Sequence, residues 1–370
     1  MKGQKTYYSF LETVIWLLAI TGIRRDELGN VPITFRAIAF WFWIFLMIIS
    51  IILKMFGGQT LEEFLNGVLF GVIILTVAIK QANLIIRRKQ IFKLLDDIEN
   101  CLTLARADLQ LVEKRSLRLK KIGKLITIYI LIATGTMFAF HYVHHELTGD
   151  KTLPVELWTP YSEEGTTFTV IIYQLIIDTG ATIGLIVFSA LLLTAITFST
   201  MIMDVLKKNL AEGPDDEETL ETFLSRYVLA HAKLLNIIKA INVNISPMLF
   251  IETVLSSIQC CCAGYLVNFR SFHGAMYTIH FVSTLTLPGL ICYLGQLIKN
   301  KNEELFDQIY DSPWYTAIPN LRRYYLMMIS MSSKPLILHF RFLMTFDLER
   351  YGNVLQAAYT YVTVLKNLLS

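Results

Sequence analysis

Seven long apolar stretches dominate this 370-residue chain, and they constrain its fold more than any other feature. A helix needs about 20 mostly apolar residues to cross the hydrocarbon layer of a bilayer. Hydrophobic residues make up 54% of the chain and charged residues only 17%, which is too little charge to cover a soluble domain of this length. The predicted spans are 35–53, 64–81, 122–142, 167–203, 247–269, 275–298 and the more polar 348–369.

These stretches are predicted to be α-helices. Hydrocarbon offers no hydrogen-bond partner to unpaired backbone groups, and the chain has no strand-like run of about ten residues with alternating polarity. The predicted fold class is therefore all-α, a polytopic membrane protein with seven transmembrane helices. The predicted segments are 1–34 with an interfacial or re-entrant helix, 35–203 with spans one to four, 204–246 as a cytoplasmic helical segment, 247–298 with spans five and six, 299–347 as a further cytoplasmic segment, and 348–370 with span seven.

Basic residues predict the orientation of the chain, because cytoplasmic segments of membrane proteins are enriched in Lys and Arg. Segment 87–124 carries eleven of these residues, whereas 143–166 carries one against five acidic residues. The N-terminus is therefore predicted in the cytoplasm and the C-terminus outside. Of the 33 Lys and Arg residues, those on the outer side are Lys54, Lys151, Arg270 and Lys366.

A G-protein-coupled receptor also has seven spans, but its orientation is the opposite one. The chain has no Asp-Arg-Tyr after span three and no Asn-Pro-x-x-Tyr in span seven. Charge distribution and motifs therefore both disfavour that class. An N-terminal tag that is accessible on intact cells would instead support a G-protein-coupled receptor. A transporter is disfavoured because the chain shows no inverted repeat.

Span seven contains a stripe of small or polar residues. Their spacing of 4, 3, 4 and 3 residues puts them on one face of a helix. Such a stripe suits a water-filled pore built from several copies, with an apolar residue as a dewetting gate. A buried helix held by polar contacts within a monomer is the alternative. The stripe is Asn353, Ala357, Thr360, Val364 and Asn367, flanked by Gln356 and Thr363.

Other ionisable residues are further candidates for functional sites. Asp178, Glu252 and His280 lie within spans, where such residues are either functional or engaged in interhelical hydrogen bonds. His141 and His145 share a helical face, but no further metal ligand is identifiable. The chain has no phosphate-binding loop, catalytic triad or zinc-protease motif, so neither an enzyme, a cofactor nor a metal site is predicted.

Three blocks near the C-terminal end resemble the signature of the insect odorant receptor family. They are Ile309-Tyr-Asp-Ser-Pro-Trp-Tyr315, Met327-Met-Ile-Ser-Met-Ser-Ser-Lys-Pro335, and the final helix with Tyr359-Thr-Tyr-Val-Thr-Val-Leu365. The length, the seven spans, the cytoplasmic N-terminus and the long segment between spans two and three agree with that family along the whole chain.

The resemblance implies an odorant-gated, non-selective cation channel subunit in the plasma membrane of olfactory sensory neurons. Family members are tetramers in which cytoplasmic helices form an anchor and span seven lines a shared pore. The short segment between spans four and five resembles a tuning receptor, which joins a co-receptor in a heterotetramer. The implied partners are this co-receptor, a small volatile ligand, the lipid bilayer and permeating cations, and no nucleic acid. Matching the final helix gives Val364 the place of the hydrophobic gate and Asn367 a neighbouring outer position.

The resemblance also places an odorant pocket in the outer half of the bundle, between spans two and six. No motif marks it, so its candidates are chosen by depth and side-chain chemistry. For each candidate alone, helix packing is the alternative role. The candidates are Phe70, Ile73 and Ile74 of span two, Met137, Phe140 and His141 of span three, Tyr173 and Ile177 of span four, and Tyr277, His280 and Phe281 of span six.

The gustatory receptor family, whose members are also tetrameric channels of this topology, is the alternative assignment. That family typically ends with a Thr-Tyr pair, five further residues and then Gln-Phe. Here Thr360-Tyr361 is followed by Leu368-Leu369 and no Gln-Phe, which favours the odorant branch.

Overall fold

The computed structural model describes residues 4–26, 29–55, 61–148, 167–269 and 274–369, which are almost entirely helical. A two-residue hairpin pairs β1 (His339–Phe340) with β2 (Met344–Thr345) in antiparallel register. The helices are α1 (Gln4–Ile20), α2 (Phe35–Met55), α3 (Leu61–Ile86), α4 (Arg88–Leu104), α5 (Leu109–Thr148), α6 (Thr167–Glu212), α7 (Leu220–Asn244), α8 (Ser246–Phe269), α9 (Gly274–Tyr310), α10 (Pro319–Ser332) and α11 (Leu348–Leu369).

Five of the described helices are long and apolar enough to cross a membrane, which confirms the all-α polytopic membrane fold. They contain the predicted spans one, two, four, five and six. Predicted spans three and seven lie in α5 and α11, which have 40 and 22 residues. Both helices carry more polar residues, because α5 includes part of the basic segment and α11 carries the polar stripe. The apolar lengths are Phe35–Leu53, Phe64–Ile86, Thr179–Glu212, Ser246–Val267 and Tyr277–Tyr310.

Helix α6 extends well past the predicted end of span four. Its 46 residues span roughly 70 Å at 1.5 Å per residue, against about 30 Å of hydrocarbon. Near its first third, Gly180 allows close packing on α2, since an added Cβ would overlap the ring of Trp43. Small residues serve this purpose at membrane helix interfaces.

The largest hydrophobic core joins α4, α7 and α10 to the inner parts of α6 and α9, and we call it the anchor core. Leu95, Ile202, Leu234, Ile298 and Met328 are representative members, each nearly inaccessible to solvent. None of these side chains carries a polar atom, so their burial stabilises the core without requiring a hydrogen bond. The anchor core thus ties three helices outside the spans to two long membrane helices.

Polar contacts surround the anchor core. Arg226 bridges to Glu218 at 2.8 Å, and its hydrogen bond holds the pKa of this carboxyl below its ordinary value. Asp204 of α6 pairs with Arg115 of α5 at 2.6 Å and with Lys301 of α9 at 3.1 Å. These ion pairs connect helices that are distant in the sequence and fix their relative positions.

An ion pair is buried within the membrane bundle. Lys80 Nζ of α3 lies 2.5 Å from Glu252 Oε1 of α8, and the two residues are only 1% and 5% exposed. The same ammonium group lies 4.9 Å from the ring centre of Phe188 on α6. Of the two roles that the sequence left open for Glu252, the structure supports the interhelical contact. The side chain of Asp178 lies outside the described part of the chain.

Candidate pore and ligand-binding site

Among the described side chains of α11, those that are covered by α8 and α9 lie along one side of the helix. Ala358 is 7% exposed on that side, and the hydroxyl of Tyr351 donates a hydrogen bond of 3.2 Å to the carbonyl of Leu285 on α9. Phe346 lies two residues before the start of α11 and crosses α9 at Gly295. A Cβ added to Gly295 would come 1.9 Å from the carbonyl oxygen of Phe346. Glycine at this position therefore lets the chain pass close to α9 just before α11 begins.

The polar stripe lies on the exposed side of α11. Its described members are not covered by the rest of the chain, and Val364 near the outer end is 47% exposed. Thr360 and Thr363 donate hydrogen bonds to the carbonyls of Gln356 and Tyr359, at 2.9 and 2.8 Å. Their hydroxyl oxygens thus keep lone pairs for water or a cation. We call Asn353, Gln356, Ala357, Thr360 and Val364 the open face of α11.

The structure brings four of the pocket candidates together between α3 and α9. Tyr277 is 1% exposed and packs in a hydrophobic cluster that includes Leu69 of α3. Phe281 packs against this cluster. The rings of Phe70 and His280 are 6.4 Å apart at a tilt of 41°. Because residues 277, 280 and 281 share one helical face, α9 presents all three toward α3 and α8.

His280 has an unusual environment among these residues. Its Nε2 atom is buried and has no hydrogen-bond partner among the residues that the structure describes. Buried polar atoms are rarely left in this state, because the lost hydrogen bond to water is costly. A polar group of a bound ligand could occupy this position and restore the hydrogen bond.

Ile73 and Ile74 have different neighbours. They pack in a cluster with Ile44 and Met47 of α2, and Phe70 belongs to that cluster as well. Phe70 thus lies between the α2 contact and His280. The side chains of the remaining candidates lie outside the described residues, and these are Met137, Phe140, His141, Tyr173, Ile177 and, on α11, Asn367.

Lys80 is the important residue that sequence reasoning missed. A lysine within an apolar stretch is a detectable signal, because an isolated charge in a membrane is costly and needs a partner. Glu252 on span five is an equally detectable charge, but 172 positions separate the two residues. A search for opposite charges at similar membrane depth would have paired them.

Comparison with known proteins identifies the relatives of this chain. The family model described as 7tm Odorant receptor matches residues 60–359. Odorant receptor 67c of Drosophila melanogaster is 22% identical over 311 residues, which cover 79% of this chain and 76% of the relative. The putative odorant receptor 92a of the same species is 21% identical over 309 residues, covering 78% and 74%.

The fold is also similar to a solved structure. The insect olfactory receptor OR5 from Machilis hrabei, in complex with eugenol, superposes with a TM-score of 0.81 at 14% identity, covering 98% of each chain. A second structure of that receptor gives a TM-score of 0.79 at 13% identity, covering 97% of each chain. This similarity extends over the whole architecture and establishes the shared fold.

Proposed function

Because the chain belongs to the 7tm odorant receptor family, a family of membrane receptors rather than enzymes, we propose that it is a subunit of an odorant-gated cation channel. It binds a small volatile compound in the outer half of the bundle and opens a pore shared with a co-receptor. Its place is the plasma membrane of olfactory sensory neurons, with the N-terminus in the cytoplasm. The short segment between α6 and α7 supports a tuning receptor over the co-receptor.

The open face of α11 is the observation that carries the pore proposal. One side of the helix packs on its own chain, whereas Asn353 and Thr360 on the other side remain uncovered. Exposing a polar stripe to lipid would be unfavourable, because hydrocarbon cannot hydrogen-bond to it. Placing the open faces of several subunits around one axis gives these residues a water-filled surface instead. Four subunits, as the family resemblance implies, would close such a ring.

Val364 acts as the gate in this proposal. It is the branched apolar member of the open face, and its side chain is half exposed near the outer end of α11. A ring of valines expels water from a narrow pore and so blocks ions without a physical plug. The polar residues nearer the cytoplasm, such as Thr360 and Gln356, would then solvate ions once the ring has widened.

Helix α9 links the proposed pocket to the pore helix. It carries Tyr277 and His280 at the pocket, and farther along it contacts α11 through Leu285 and the segment just before α11 through Gly295. A ligand that stabilises one position of α9 therefore also biases the position of α11. The ligand must favour the open arrangement, because equal affinity for both states would shift nothing.

A matched pair of valine substitutions tests the gate. Val364→Ala should raise the leak current without odorant and alter permeation, since a smaller side chain lets water into the constriction. Val354→Ala makes the same change on the side of α11 that is less exposed, and it should leave the leak at the wild-type level. Both are recorded in cells that express the chain with the co-receptor. Unchanged gating, leak and permeation in Val364→Ala would contradict the proposed gate.

A panel of volatile compounds tests the receptor function itself. Currents should appear for some compounds when the chain is expressed with the co-receptor. In the responding cells, His280→Phe should weaken the response to compounds with a hydrogen-bonding group more than to hydrocarbons, because phenylalanine keeps the ring but offers no polar atom. Equal loss for both classes would mean that His280 does not bind the polar group of the ligand.

A further inference from the structure

A cavity lies between α1, α5 and α6, and none of the odorant-pocket candidates lines it. Its volume is about 380 Å³, and its walls come from one side of each helix, including Leu17 of α1, Ile126 of α5 and Leu193 of α6. Of the hydroxyl groups on its walls, those of Thr127 and Thr194 donate to carbonyls of their own helices, at 2.9 and 2.6 Å. The wall is therefore largely apolar, and we call this cavity the inner groove.

The length of the inner groove matches one half of a bilayer. Its wall on α6 runs from Ile183 to Thr194, which corresponds to roughly 16 Å at 1.5 Å per residue. Half of a hydrocarbon layer of about 30 Å is close to this value. The groove thus offers room for an alkyl chain that lies along α6.

Two lysines lie at the edge of the groove. Lys120 and Lys124 are one helical turn apart on α5, and both are exposed and line the cavity. Neither forms an ion pair with any residue in the described part of the chain, although Arg115 on the same helix is paired with Asp204 at 2.6 Å. Two adjacent positive charges are therefore free to bind an anion above an apolar slot.

We propose that the inner groove binds an anionic phospholipid of the cytoplasmic leaflet. One acyl chain lies between α1, α5 and α6, and the headgroup phosphate lies between Lys120 and Lys124. The cytoplasmic leaflet is the one that carries anionic lipids, and basic pockets between membrane helices are known to hold their headgroups. Lysine suits this position because its alkyl stem covers apolar surface while its ammonium group reaches the interface.

This assignment rests on the proposed orientation, which places the basic segment that ends at Lys124 in the cytoplasm. It does not require that the chain bind an odorant or conduct ions. A neutral volatile would leave the two ammonium groups unpaired, so the charge favours the lipid as occupant. Helix α1 contacts both α5 and α6. A bound lipid would also hold α1 against these two helices.

Photolabelling of the purified full-length protein tests the lipid site. The probe is phosphatidylserine with a photoreactive group on its acyl chain, and phosphatidylcholine with the same group is the comparison. Phosphatidylserine should label peptides of α1, α5 and α6 strongly, and unlabelled phosphatidylserine should compete. Lys120→Gln combined with Lys124→Gln should lower this labelling roughly tenfold or more, because two phosphate contacts are lost.

Two matched controls sharpen the experiment. Lys114→Gln combined with Lys121→Gln removes the same charge from the same helix outside the groove, and it should leave labelling unchanged. Gly123 lines the groove, and a Cβ there would meet nothing within 4 Å, so Gly123→Leu should fill the slot and reduce labelling. Gly135 is equally open but does not line the groove, so Gly135→Leu should label like the wild type.

Two results would overturn the proposal. Equal labelling by phosphatidylcholine and phosphatidylserine would mean that the groove holds ordinary surrounding lipid. Equal loss in both lysine pairs would mean that the lipid responds to the net charge of α5 and not to this site. Because the readout is a labelled peptide, a protein that fails to respond to odorants still gives a full answer.

Discussion

Charged and polar side chains have different environments in the packed helix bundle and on the open face of α11. In the packed bundle, Lys80 forms an ion pair with Glu252, and Arg226 forms one with Glu218, within the same chain. On α11, Asn353 and Thr360 face away from their own chain and are exposed. The packed bundle thus pairs these charges within the chain, whereas the open face leaves its polar groups uncovered. Substitutions in the first region should affect stability, and substitutions in the second should affect conduction.

The buried ion pair should give the largest effect. Glu252→Gln leaves the ammonium group of Lys80 buried without a counter-charge, which typically costs about 3–5 kcal/mol. The thermal unfolding temperature of the purified protein measures this loss. Replacing both residues, Lys80→Met with Glu252→Leu, should restore most of the stability, because no charge then remains buried. A double variant as unstable as Glu252→Gln would contradict this explanation.

The anchor core should be nearly as sensitive. Leu234 on α7 is fully buried, so Leu234→Ala should destabilise the protein by about 2–5 kcal/mol through lost packing and the remaining cavity. Leu229→Ala on the same helix is the control, because this leucine is 52% exposed and should cost far less. Equal unfolding temperatures for the two variants would mean that the anchor core does not stabilise the chain.

Acid should weaken the anchor core through His231. Burial lowers the pKa of this histidine to about 4, from an ordinary value of 6.5. Between pH 6.5 and 4 the unfolded chain therefore binds a proton that the folded chain does not. Stability is full above pH 6.5 and falls as the pH is lowered, by roughly 3 kcal/mol at pH 4. His231→Gln should flatten this pH dependence of the unfolding temperature, whereas His339→Gln on the surface hairpin should not.

The sequence was sufficient to predict the spans with continuous apolar residues and the stripe on α11. Both are local properties, since each depends on residues that are close in sequence or at helical spacing. The blocks around Trp314 and Pro335 also indicated the family.

Contacts between distant segments could not be predicted in the same way. The partner of Glu252 is 172 positions away, and the inner groove needs α1, α5 and α6 to meet. The pocket candidates show the same difficulty, because depth alone did not distinguish Phe70, which approaches His280, from Ile74, which packs on α2. Which face of α3 meets which neighbour is decided by the whole bundle.

The accessibility of cysteines introduced along α11 tests the central claim most directly. A positively charged thiol reagent, applied during odorant-evoked currents in cells that also express the co-receptor, should block Thr360→Cys and Asn353→Cys. It should not block Ala358→Cys, which lies on the packed side of the helix. The native cysteines are buried or partly buried, so the wild type serves as an unreactive background. Block at Ala358→Cys with no block at Thr360→Cys would contradict a pore lined by the open face of α11.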